Sequence, residues 1–221
     1  MAKPTGTSGY FQAQMRVDGK VVGSFEAIPF SKEKTEVEKY MVERFIASMN
    51  KYLETTGDRF FLADPQLNPQ DDFDFTVTSP NGSAYLELME IAPLTGPYEQ
   101  APTEYKPHDF SEAILSGILK KSSRYPKSLG RDIYLLLYVT HWSFALSDIA
   151  IACLRYWLRV QSTVFRAVFT YEPIDAEEGA PHWLFPVPPE LIGSFDPEQV
   201  RENVCLNLNP RNFQVVQERK P

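Results

Sequence analysis

The sequence predicts a single α/β domain, a central mixed sheet flanked by helices, and three features carry that expectation. Segments with apolar residues at helical spacing alternate with segments of strand length. The run Ile133 to Val139 is almost continuously apolar, as a strand covered on both faces must be. No internal repeat, low-complexity tract or long linker divides the 221 residues. The expected plan is an N-terminal β-ribbon over 1–30, a core over 31–140, and a C-terminal extension of helix, strand and irregular chain over 141–221.

Each element has its own signal. Asp18-Gly19 between extended stretches marks a hairpin turn in the N-terminal ribbon. Thr35 with Glu38 three residues on reads as a capping box, and Val37, Met41, Phe45, Met49 and Tyr52 recur at helical spacing up to Gly57. A short strand is expected at Phe60 to Leu62, then a loop from Asp64 to Gln70, rich in Pro, Asn and Gln. Phe73, Phe75 and Val77 alternate with Asp74, Thr76 and Thr78; a turn over Ser79 to Ser83 follows, and Tyr85 to Ile91 returns as the second strand of a hairpin. Four prolines between Ala92 and His108 impose an irregular excursion. A second helix runs from Asp109 or Ser111 to Tyr125, where Pro126 stops it. After the buried strand, Ser147 caps a third helix to Gln161, and Val164 to Tyr171 is a further strand. Short extended pieces at Trp183 to Val187 and Phe213 to Val216 surround a short helix at Pro197 to Asn203.

Composition removes several function classes. The formal charge is −7, opposite to the basic footprint of a protein that coats nucleic acid, so any such contact has to be local. Two cysteines, Cys153 and Cys205, are too few for a disulfide framework, contain no CxxC pair, and point to a reducing, cytoplasmic compartment. The N-terminus lacks the apolar stretch of a signal peptide, and no run reaches the roughly 18 apolar residues of a membrane span. Asn81-Gly82-Ser83 is formally a glycosylation acceptor but reads as turn chemistry.

The candidate chemistry lies on the hairpin and the second helix. Glu87 shares a strand face with Tyr85 and Met89, whereas Glu90 points the other way with Leu86 and Leu88, and either glutamate could be the solvated one. Asp74 and Glu87 on neighbouring strands would repel unless a cation sat between them, and hard oxygen ligands of this kind suit Mg²⁺. Each could equally be a polar residue on a solvent face. On the second helix Phe110, Ile114, Ile118, Lys121 and Tyr125 fall within roughly 80° of one another, so a lysine is set in an apolar stripe. Its ammonium must either meet an acceptor or snorkel out along the helix edge.

The string from Asp72 through Asp74 to Thr78, the glycine turn, and Tyr85-Leu-Glu87-Leu-Met-Glu-Ile91 resembles the PD-(D/E)xK, or restriction-endonuclease-like, nuclease superfamily. The family core, helix, three strands, helix, strand, corresponds to Thr35 to Val139, about half the chain. The resemblance implies Asp74 and Glu87, separated by twelve residues, as the paired carboxylates, with the Leu88 carbonyl completing a Mg²⁺ site. Met89 stands where the motif lysine is expected, and the resemblance to branches with a migrated lysine assigns that role to Lys121. Asp72 is the alternative to Asp74 if the register differs by two, and Glu36 or Glu43 would supply an additional acidic ligand from the first helix. The implied activity is Mg²⁺-dependent hydrolysis of nucleic acid, with homodimerisation as one way to cut two strands. The alternative is a nuclease fold without catalysis, acting as a protein or nucleic-acid interaction module. Lys121, Arg124, Lys127 and Arg131 form a cationic cluster suited to phosphate, and Arg155 with Arg159 is a second pair; both also read as solubilising charge.

Other chemistries lack support. His108, His141 and His182 are isolated, and HExxH, GxSxG, GxGxxG and Walker A strings are absent. Cys153 reads as core filling, and Trp183 and Phe185 as residues that close a core rather than stack on a base.

Overall fold

The computed structural model describes residues 7–15, 21–57, 62–68, 73–92, 104–126 and 131–206. In chain order these form β1 (Gly9–Met15), β2 (Val21–Ala27), α1 (Lys34–Thr56), β3 (Ala63–Leu67), β4 (Phe75–Ser79), β5 (Gly82–Ile91), β6 (Glu104–Tyr105), α2 (Pro107–Ser122), β7 (Ile133–Val139), α3 (Asp148–Val160), β8 (Ala167–Pro173), β9 (Gly179–Phe185) and β10 (Cys205–Leu206). A six-stranded mixed sheet runs in the order β3-β4-β5-β7-β8-β9. Its centre, β5-β7-β8, is parallel, and antiparallel strands close both sides. The ribbon β1-β2 and the pair β6-β10 are separate.

Parallel neighbours require crossovers, and both crossover helices, α2 and α3, cover the same face of the sheet. There Ile133, Leu135, Leu137 and Val168 pack with Ile118 and Leu154. On the opposite face, α1 contributes Met41, Val42, Phe45 and Leu53 against Leu86, Leu136 and Phe169. With a helical layer on each side, all seven residues of β7 are buried, as the continuous apolar run predicts. Gly57, at φ 76°, ends α1 in the left-handed conformation that residues with a side chain adopt at a cost. Ser147 caps α3 by accepting from the Ala150 N–H.

Several expectations need correction. The segment read as loop from Asp64 to Gln70 contains β3, an edge strand whose register shifts between Ala63 and Gln66 and whose Asp64 has φ 51°. Asp and Pro are depleted in strands, so this element is set by pairing with β4 rather than by propensity. No capping box forms at Thr35: the N-cap is Glu33, without a side-chain hydrogen bond. Helix α2 starts earlier than expected, with Pro107 in its first turn, and ends at Ser122. The short helix after Asp196 is a 3-10 turn, Pro197–Val200. The hairpin turn at Asp18-Gly19, most of the strand expected at Phe60 to Leu62, and the extended piece at Phe213 to Val216 lie outside the described residues.

Leu136, with no exposed surface at the centre of β7, contacts the α1 layer. Leu136→Ala is expected to destabilise the chain by about 2 to 5 kcal/mol in urea denaturation, without a change of fold by circular dichroism.

Candidate active site

Residue positions around the hairpin follow from its register. Phe75 pairs with Leu86, and β4 begins at Phe75. Continuing that antiparallel register by one residue sets Asp74 opposite Glu87. Asp74 has already left the ladder, and its side chain replaces the missing strand: Oδ2 accepts from the Leu88 N–H at 2.8 Å. The N–H and C=O of one strand residue project to the same side, so the Leu88 carbonyl points toward Asp74 as well. The backbone of Asp74 is held from the other side, where its carbonyl accepts from the Asn68 N–H at 3.1 Å.

Glu87 lies on the α2 face, with only 2% of its side chain exposed. Facing it is Lys121, whose ammonium contacts Glu87 Oε2 and stands 3.8 Å from Asp74 Oδ2. The stripe on α2 explains the meeting. Gly117 packs over Met89 so closely that a Cβ there would lie 3.2 Å from the Met89 sulfur. One helical turn onward, about 6 Å, comes Lys121; two strand residues back, about 7 Å, comes Glu87. A lysine one turn along α2 therefore covers the carboxylate whose own strand offers Met89. Burial pushes the Glu87 carboxyl above its ordinary range, the negative charge of Asp74 adds to that, and Lys121 and the Tyr125 hydroxyl oppose it. Among the described residues, Glu87 Oε1 has no hydrogen-bond partner. Tyr125 in turn is raised well above the usual phenol range, chiefly by burial and then by the charge of Glu87.

A wall of rings borders the carboxylates. Phe73 stacks on Tyr85 at 4.0 Å and on Tyr125 at 4.8 Å, and the Arg131 guanidinium lies over Tyr85, 5.4 Å from the ring centre. Of the expected cationic cluster, Lys121 and Arg131 adjoin the carboxylates or their ring wall. Arg124 is exposed in the turn after α2, and its charge acts on Tyr125. Lys127 and the alternative ligand Asp72 lie outside the described residues. Arg155 is not part of this group; its Nε donates to the Trp183 carbonyl, and Arg159 lies over Tyr156.

The glutamate that α1 brings to the site is neither Glu36 nor Glu43, both exposed, but Glu38. It is 8% exposed and paired with Lys34 at 2.9 Å, with Asp74 and Lys121 among its electrostatic neighbours. Burial raises its carboxyl, against the pull of Lys34. Its signal in the sequence was position: Glu38 precedes Met41, Val42 and Phe45 by three, four and seven residues, on their own apolar stripe. Glu90 faces the α1 side and accepts from the Thr140 hydroxyl at 2.6 Å.

No protein-family model matches the chain, and no curated protein matches it. A structure of SfsA from Pyrococcus furiosus in complex with Ca²⁺ aligns over 77% of this chain and 74% of that chain, at 10% identity and a TM-score of 0.31. A likeness at that level bears on neither mechanism nor substrate.

Removing the ammonium leaves Glu87 buried beside Asp74 without a cation. Lys121→Met is expected to cost about 3 kcal/mol near neutral pH. Glu87 holds its proton more tightly folded than unfolded, so its ionisation subtracts stability as pH rises through its raised value. The gap between wild type and variant is therefore expected to be small at acid pH and to widen above the ordinary carboxyl value near 4.5, with Glu87→Gln in the same chain restoring most of it. Denaturant melts across that pH range measure it.

Proposed function

We propose that this chain is a Mg²⁺-dependent nuclease of the PD-(D/E)xK kind, hydrolysing phosphodiester bonds, with Lys121 in the role of the lysine missing at Met89. The observation that carries the reading is the approach of one ammonium, from a helix, to both hairpin carboxylates. The donor set suits a hard divalent ion: two carboxylates, one of them with a buried oxygen that has no hydrogen bond among the described residues, and a backbone carbonyl directed to the same side. Asp74, Glu87 and the Leu88 carbonyl would hold the ion. When bound, Mg²⁺ supplies Lewis-acid polarisation of the phosphoryl group and a bound water of lowered pKa.

The residues of the chain itself have separable tasks. Lys121 favours the ionised form of Glu87 against its burial and offers N–H donors to the attacking water or to a phosphoryl oxygen as charge develops. Asp74 is held in place by its bond to the Leu88 N–H. Phe73 and Tyr85 shield one side of the carboxylates from water, which strengthens each charge interaction there. Arg124, Lys127 and Arg131 are the proposed phosphate contacts outside the metal site.

A second reading, a nuclease fold kept as an interaction module, is favoured by one specific observation. The Lys121–Glu87 pair is already neutral overall, and among the described residues no group of three acidic, His or Cys side chains is arranged as a metal cage. Incubation of labelled single- and double-stranded DNA and RNA with the chain and millimolar Mg²⁺ separates the two. Hydrolysis is expected, stopped by chelation and reduced roughly 100-fold or more in Asp74→Asn, Glu87→Gln and Lys121→Met, each verified as folded. A folded wild type that cleaves none of the four substrates overturns the nuclease reading in favour of the module.

A further inference from the structure

At the N-terminal ends of β7 and β8 lies an open groove of about 690 Å³, lined among others by Asn81, Arg131, Asp132, Arg166, Trp183 and Phe185. Arg131 links the groove to the ring wall beside the carboxylates. Arg131 lies over Tyr85, which sits on the same face of β5 as Glu87 and two residues before it, about 7 Å away. Arg131 and Arg166 are exposed, and neither forms an ion pair among the described residues. Among the described residues the carboxylate in the lining is Asp132, which accepts from the Asn81 side-chain amide at 3.2 Å. Trp183 packs against the α1-side core, its ring 5.1 Å from Phe169, and Phe185 against the α2-side core, as expected of residues that close a core; both stay partly buried and also line the groove. Two exposed guanidinium groups, without an ion pair among the described residues, and aromatic rings at strand ends match what a nucleic-acid strand offers, phosphates and base faces.

We propose that this groove binds a single strand of nucleic acid next to the phosphodiester held at Asp74, Glu87 and Lys121, with Arg131 and Arg166 on phosphates and Trp183 and Phe185 against bases. The proposal rests on the phosphodiester-directed reading of that site. A single strand is specified because base faces reach aromatic side chains only when the bases are not held paired and stacked inside a duplex. The recess also has the volume of a pocket for a small ligand, the scale of one or two nucleotides.

The test is binding in chelator, where hydrolysis does not contribute, followed by fluorescence anisotropy on the full chain. The probes are a short labelled DNA strand, the RNA of the same sequence, and the DNA duplex. Single strands are expected to bind more tightly than duplex, and the DNA and RNA arms identify which strand is preferred. Arg131→Gln with Arg166→Gln is expected to weaken single-strand binding roughly 10- to 100-fold at low salt. The same variant should make the log–log salt dependence shallower by about 1.4, twice the ~0.7 of one phosphate contact on a single strand. Arg131→Lys with Arg166→Lys keeps both charges and should retain most of the affinity, which separates charge from folding. Absence of binding, tighter binding of duplex, or wild-type affinity and salt slope in the double glutamine variant each overturns the proposal. Arginine-dependent binding by a chain that cleaves nothing upholds the groove while removing the nuclease reading; cleavage unchanged in the double glutamine variant does the reverse.

Discussion

Glu87 is a buried carboxylate on a sheet face that is otherwise built from Tyr85, Met89, Ile91 and the apolar residues of β7, and the ammonium of Lys121 is what makes that burial tolerable. An isolated charge there would be several kcal/mol out of balance, and a second acidic group, Asp74, stands beside it. One cation serving two carboxylates sets the phase of α2 on the sheet: the helix has to present Gly117 to Met89 and Lys121 to Glu87 together. It also links layers, because Lys121 and Asp74 act on Glu38, which α1 supplies from the far side of the sheet.

The end of β4 is the second constraint. Were β4 one or two residues longer, its backbone would pair with Leu88 and close the edge of β5. Instead the ladder stops at Phe75, and the Asp74 carboxylate takes over the Leu88 N–H beside Glu87. Lys34, whose ammonium is raised by its bond to Glu38 and further by Asp74 and Glu90, adds a second cation to this end of the sheet. The result is a short stretch of sheet where acidic and basic groups from α1, β5 and α2 face one another at a strand end.

Much of this was legible before any coordinates, for reasons that differ by residue. Asp74 and Glu87 were visible because a two-strand alternation around a tight turn fixes which residues can be opposed. Lys121 was visible because a charge at helical spacing among Ile114, Ile118 and Tyr125 conflicts with burial unless something answers it. Glu38 was not, since its spacing from Thr35 also fits a capping box and local chemistry offered a sufficient explanation. Strand β3 was hidden for the opposite reason: Asp64 and Pro65 disfavour a strand, and only pairing with β4 makes one. Arg155 and Arg166 could not be told apart by sequence, yet one is spent on the Trp183 carbonyl and the other lines a groove. Long-range backbone partners decide such cases, and no local pattern encodes them.

The claim on which the account rests is that Glu87 is buried, ionised with the help of Lys121, and available to a divalent cation. A carbon-13 NMR titration of the Glu87 side-chain carboxyl, without and with saturating Mg²⁺, measures this directly. The account predicts a midpoint above the ordinary value near 4.5 in the metal-free chain and a clear fall of that midpoint when Mg²⁺ is added, as competition between proton and cation requires. A midpoint at the ordinary value, or one that Mg²⁺ leaves unmoved, would contradict it.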